Sequence, residues 1–134
     1  MVDLRLTEGE MMYTVIRVTA DGAKVGELDI VGESMNEVRP GVYKGIRNAG
    51  DGFSCEVCED QDWDQHVQAI SRFVGEFSMP LRRLVEVGAA VTFDVAVEPE
   101  DREVGGPVLV LRGDVTLLEM LARGGMALEV SIYG

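Results

Sequence analysis

Apolar and polar positions alternate along several stretches of this chain. Over residues 12–19, Met12, Thr14, Ile16 and Val18 fall on one side, and Tyr13, Val15, Arg17 and Thr19 on the other. Successive side chains of a strand point to opposite faces, so this period of two predicts a strand with one face buried. Residues 91–97 repeat the pattern, with Val91, Phe93, Val95 and Val97 set against Thr92, Asp94 and Ala96. Residues 126–133 do the same through Met126, Leu128, Val130 and Ile132. The continuous apolar run from Val108 to Leu111 predicts a strand covered on both faces. Residues 2–6 alternate as well, at a chain end where strands fray.

A period near 3.6 predicts two main helices. Val67, Ile70, Phe73, Val74 and Phe77 form one apolar stripe within residues 64–77. Asp62 or Asp64 can cap its start, where acids also suit the positive end of the helix dipole. Pro80 lacks an amide proton and must break or kink this helix, and a short helix over residues 81–87 can follow before Gly88. Residues 114–125 read as the other main helix. Asp114 is its N-cap, Leu117, Leu118, Met120 and Leu121 form its apolar face, and Gly124 takes the left-handed C-terminal position.

Residues 21–52 leave two readings open. They form a hairpin turning at Asp21-Gly22, or a short helix carrying Val25, Leu28 and Val31. Arg39-Pro40-Gly41 is a turn. Residues 42–47 and 53–58 read as strands joined by a loop rich in Gly and Asn, and residues 98–107 as an exposed acidic loop. The expected architecture is α+β: a single domain over residues 1–134, with a mostly antiparallel sheet and two main helices packed on one face.

The size changes little in this picture: 134 residues suit one domain, with a core that needs no staple. An apolar content of 46% excludes a disordered chain. No run approaches the roughly 20 apolar residues of a membrane helix, and the N-terminal residues have no signal-peptide core, so the expected compartment is the cytoplasm. Charge changes the picture more. Twelve basic and 24 acidic residues give a net charge of −12. Such a surface repels phosphate backbones and anionic membranes, which argues against nucleic acid and membrane as partners. It would steer a basic protein instead.

The second half of the chain resembles a bacterial family known as domain of unknown function 4279. The resemblance rests on the acidic-Trp step into a helix with an early His, Asp62-Trp63-Asp64-Gln65-His66. It continues through the Leu-rich helix from Leu118 to Gly124 and a last strand that ends at Tyr133. It spans residues 62–134. The acidic element of that family's first strand-to-helix loop is absent; residues 20–29 stand in its place. The resemblance implies a fold and carries over no catalytic residues.

Both cysteines, the only His and the only Trp fall within residues 53–66. Structural zinc typically takes four Cys or His ligands, and this chain has three in all, so a carboxylate, with Asp60, Asp62 and Asp64 near, or a water would have to complete a site. In a regular strand, Cys55 and Cys58 point to opposite faces and can neither pair nor chelate together. Glu56, Glu59 and Asp60 surround the thiols and disfavour thiolate, which argues against redox chemistry. His66 reads as a capping or surface residue with no nucleophile beside it. Trp63 is either a core residue at the helix start or, if exposed among acids, an interface anchor. The glycines Gly105 and Gly106 begin no phosphate loop, and the acids lack EF-hand spacing.

No catalytic residue, cofactor or metal is therefore expected. The leading expectation is a non-enzymatic, acidic protein-binding module, concretely an immunity or antitoxin-like protein that neutralises a basic, nuclease-type toxin. Its contact candidates are Glu59, Asp60, Asp62, Trp63 and Asp64, with Glu98, Glu100, Asp101 and Glu103. The alternatives are a homodimer joined through strand edges, or a small-molecule or metal-binding domain using Cys55, Cys58 and His66.

Overall fold

The computed structural model describes residues 11–47, 50–59, 62–98 and 115–132. They form β1 (Met11–Thr19), α1 (Val25–Val38), β2 (Gly52–Glu59), α2 (Trp63–Glu76), α3 (Ser78–Glu86), β3 (Ala90–Glu98), α4 (Val115–Arg123) and β4 (Ala127–Ile132). A single 3₁₀ turn, Gly22–Lys24, leads into α1. The sheet runs β2-β1-β3-β4, antiparallel on both sides of β1 and parallel between β3 and β4. A parallel pair needs a crossover, and α4 lies on it. The fold is thus α+β with a mostly antiparallel sheet, as the patterning predicts. The expected strands at residues 2–6 and 108–111 lie outside the described residues.

β1 follows its period of two: Met12, Thr14, Ile16 and Val18 are buried, and the residues between them are half-buried. Phe53 and Cys55 from β2 and Val91, Phe93, Val95 and Val97 from β3 join the same apolar cluster. α1 contributes Leu28, Val31 and Met35, α2 Ile70 and Phe73, α3 Leu81 and Leu84, and α4 Leu117 and Leu121. The ring of Phe73 meets Phe93 edge-on at 6.0 Å and Phe77 at 4.5 Å, which locks the α2–α3 corner onto β3.

Residues 21–52 resolve to the helical reading, and the helix is longer than a short turn. α1 has 14 residues and buries Leu28, Val31, Gly32 and Met35 on one side. The expected strand at residues 42–47 is absent. Tyr43 is tied to α1 instead: Asn36 Nδ2 donates to the Tyr43 carbonyl at 3.0 Å, and the Tyr43 amide donates to Asn36 Oδ1 at 2.9 Å. The Tyr43 hydroxyl donates to Asp29 Oδ1 at 2.6 Å, and its ring meets Phe53 edge-on at 4.8 Å. A backbone held this way by a helix is not free to pair as a strand. The Arg39-Pro40-Gly41 turn is present, with Gly41 at φ 85°.

Pro80 ends nothing by itself. α2 stops at Glu76, and Pro80 lies in the first turn of α3, where a missing amide costs little. At the end of α4 the left-handed residue is Gly125 (φ 71°) rather than the expected Gly124, because the Met126 amide returns to the Leu121 carbonyl at 2.9 Å.

The most consequential departure is in β2. Val15 lies opposite Glu56 and Thr14 opposite Cys58, so Val57 is an extra residue with no partner. This β-bulge resets the alternation. Directly opposite residues share a face. Cys55 faces with Ile16 and Cys58 with Thr14, so both cysteines lie on the helix-covered face. The expected split of the thiols across the sheet is therefore wrong.

Candidate functional site

Glu59 and Glu98, one residue from each acidic cluster, end their strands at the same end of the sheet. Glu59 pairs with Tyr13 and Glu98 with Met11, so the last residues of β2 and β3 flank the start of β1. Glu59, Asp62 and Asp64 are exposed there. Asp62 is also the N-cap of α2, and its Oδ1 accepts the Asp64 amide at 3.1 Å. Asp60, Glu100, Asp101 and Glu103 lie outside the described residues. Trp63 is only 4% exposed and belongs to the core. Of its two readings, the structure selects the buried one, so Trp63 offers no ring to a partner.

His66 is not a surface or capping residue. It is fully buried on α2, and its Nδ1 lies 2.6 Å from Thr14 Oγ1. The signal was present in the sequence: His66 precedes Val67 and Ile70 at helical spacing, on the flank of the apolar stripe. A hydroxyl beside an imidazole has the reach of a nucleophile and its base. Here both side chains are closed off, 1% and 0% exposed, so the contact joins β1 to α2 rather than presenting a nucleophile to solvent.

Both cysteines are free thiols. Burial pushes the Cys55 thiol up to about 11, against smaller opposing effects of Arg39 and Lys44. A thiol held protonated is a poor nucleophile and a poor metal ligand. Among the described residues, no three His, Cys, Asp or Glu side chains gather into a metal-binding group.

On the face away from the helices, Arg17 spans three strands. Its Nη2 lies 2.8 Å from Glu129 Oε2 on β4 and 3.4 Å from Asp94 Oδ2 on β3. Asp94 is buried, and its Oδ1 accepts the Ser131 hydroxyl at 3.0 Å. Ser131 donates to a carboxylate, and the chain's one imidazole, His66, is bonded to Thr14 on the other face of the sheet, so this cluster fits a structural role better than a nucleophilic one.

Sequence reasoning missed an acidic surface on α1 because it left residues 21–52 open between a hairpin and a short helix. α1 contains Glu27, Asp29, Glu33 and Glu37 and no basic residue; Lys24, just before it, lies 3.8 Å from Glu27. At about 100° per residue, Ile30, Glu33 and Glu37 lie opposite the buried side of the helix, and Asp29 lies on its flank, bonded to Tyr43. Ile30 is 68% exposed among these acids. Beside it, a groove of about 240 Å³ runs between α1 and α3, lined by Glu27, Ile30, Val31, Arg83, Glu86 and Val87.

A larger cleft, of about 430 Å³, lies between β2 and the segment that follows α1. Among the described residues, no helix is long and apolar enough to cross a membrane. No protein-family model, curated protein or solved structure matches the chain.

Proposed function

We propose that this protein is a non-catalytic, cytoplasmic binding module for a basic protein, acting as an immunity or antitoxin-like inhibitor of a nuclease-type toxin. The observation that carries this reading is the outer side of α1, where Glu33 and Glu37 share the exposed side with Ile30, Asp29 and Glu27 flank them, and the nearest cations, Lys24 and Arg83, lie on the Glu27 side. Interfaces of this kind combine a small apolar anchor with charges that steer encounter. A nucleic-acid-binding protein presents a cationic cleft that such a helix complements. The exposed Glu59, Asp62 and Asp64 at the sheet end form a second acidic surface for the same partner. The buried Thr14–His66 pair and the protonated Cys55 favour binding over catalysis. Kinship with domain of unknown function 4279, through the Asp62–His66 step and the Leu118–Tyr133 region, is part of this proposal.

Co-expression with the product of a neighbouring gene, chosen for basic charge, tests the reading. The expected result is a complex whose affinity falls steeply with salt, and which Glu33→Lys with Glu37→Lys disrupts. Loss of binding with Asp62→Lys and Asp64→Lys, but not with the α1 variant, would move the contact to the sheet end. A neighbouring product that neither binds nor is neutralised would refute the proposal.

A further inference from the structure

Among the described residues, β2 is an edge strand: its one neighbour in the sheet is β1. The Gly52 carbonyl accepts the Arg47 amide at 2.7 Å, and the Asp51 carbonyl accepts the Ala20 amide at 2.9 Å. Asp51 therefore points toward β1 and Gly52 away from it. Backbone direction alternates along a strand, so the N–H and C=O of Ser54 and Glu56 also point away from β1, toward the free edge. Sheets usually blunt such an edge with a bulge, a charge or a covering segment. The Val57 bulge comes only after Glu56.

The covering segment here stands off. The turn after α1 runs beside β2 but leaves the cleft of about 430 Å³, with Ser54, Cys55 and Glu56 on one side and residues 39–42 and Lys44 on the other. Its far wall is braced. Arg39 stacks on Phe77 at 5.1 Å from the ring centre, and its Nε lies 3.0 Å from Glu76 Oε1. The charged lining residues are Arg39, Lys44 and Glu56; Arg39 is paired with Glu76, which leaves Lys44 as the cation of the lining that can meet a carboxylate. Lys44 is exposed, with no ion pair among the described residues.

We propose that this cleft takes an extended, carboxylate-bearing peptide segment of a partner protein, added to the sheet as a fifth strand beside β2. Main-chain bonds to Ser54 and Glu56 supply the register, and Lys44 selects the carboxylate. A second copy of this chain fits poorly, because its β2 carries the same wall and two walled edges cannot close to the ~4.8 Å of paired strands. The site is separate from the acidic side of α1 and goes beyond the basic-partner reading.

A phage-displayed library of random linear peptides is the probe, followed by anisotropy titration of a selected peptide. Ser54→Pro removes the outward amide while sparing the bonds to β1, since proline is tolerated at an edge whose N–H faces out. The expected result is an enriched peptide with an acidic residue, amide shift changes centred on Ser54 and Glu56, and about tenfold weaker binding to Ser54→Pro and to Lys44→Glu. Should Ser54→Pro fail to fold, Lys44→Glu and the amide shifts decide alone. No enriched peptide, full binding to a folded Ser54→Pro, shift changes confined to α1 and α3, or a concentration-dependent dimer that Ser54→Pro abolishes would each overturn the proposal.

Discussion

Thr14 Oγ1 and His66 Nδ1 lie 2.6 Å apart, 52 residues apart in sequence, and both are sealed in the core. The bond fixes the rotation of α2 over β1. Thr14→Val keeps the shape and removes the hydroxyl, leaving a buried ring nitrogen without that partner. A loss of about 1–3 kcal/mol is expected from urea unfolding.

Gly32 is required by the ring of Tyr43. A Cβ at position 32 would overlap the Tyr43 side chain. Gly32→Ala raises helix propensity, by up to about 1 kcal/mol, yet should destabilise, because the displaced ring also loses Phe53 and the Asp29 bond. A lowered Tm together with a changed tyrosine near-UV signal is the expected outcome. Unchanged stability would mean that Tyr43 moves freely.

Arg17 is the cation beside the buried Asp94 carboxylate. Arg17→Met should cost about 1.5–3 kcal/mol, read by thermal unfolding, because among the described residues Asp94 then keeps only the Ser131 hydroxyl. The double variant Arg17→Met with Asp94→Asn should recover part of that loss, since no unpaired charge remains buried.

Cys55 gives stability an alkaline dependence. Its thiol is raised from the ordinary 9.0 to about 11, first by burial. Between those values the unfolded chain has released the proton and the folded chain still holds it. Stability is therefore complete below about pH 9 and falls as pH rises through about 11. The Tyr43 hydroxyl, also raised by burial and by Asp29, acts in the same direction. Cys55→Ala should flatten the decline measured by urea unfolding across that range.

Thiol reagents and chelators should also separate the two cysteines from a metal role. Cys58 is half-buried and should react faster than Cys55 at neutral pH. A chelator should leave Tm unchanged; a drop would restore the zinc alternative.

Much of the candidate site was legible only in part. The acids at the start of α2 were visible, because capping and dipole arguments are local. The acidic side of α1 was not: its buried stripe includes Gly32, which looks like a helix breaker until Tyr43 is placed against it. The β2 cleft had no signal at all, since an edge exists only once the neighbours of a strand are known.

Among the described residues, the sequence by itself determined all four strands and three of the four helices, because side-chain period is a property of the local chain. It also determined the charge and the α+β class. Tertiary structure decided what depends on pairing across long separations: the parallel β3–β4 contact, the place of β2 at the edge of the described sheet, the burial of Trp63 and His66, and the Val57 bulge. The bulge shows the reason most plainly. A strand read alone has a strict period of two, and only its register against β1 adds the one extra residue that returns Cys58 to the face of Cys55.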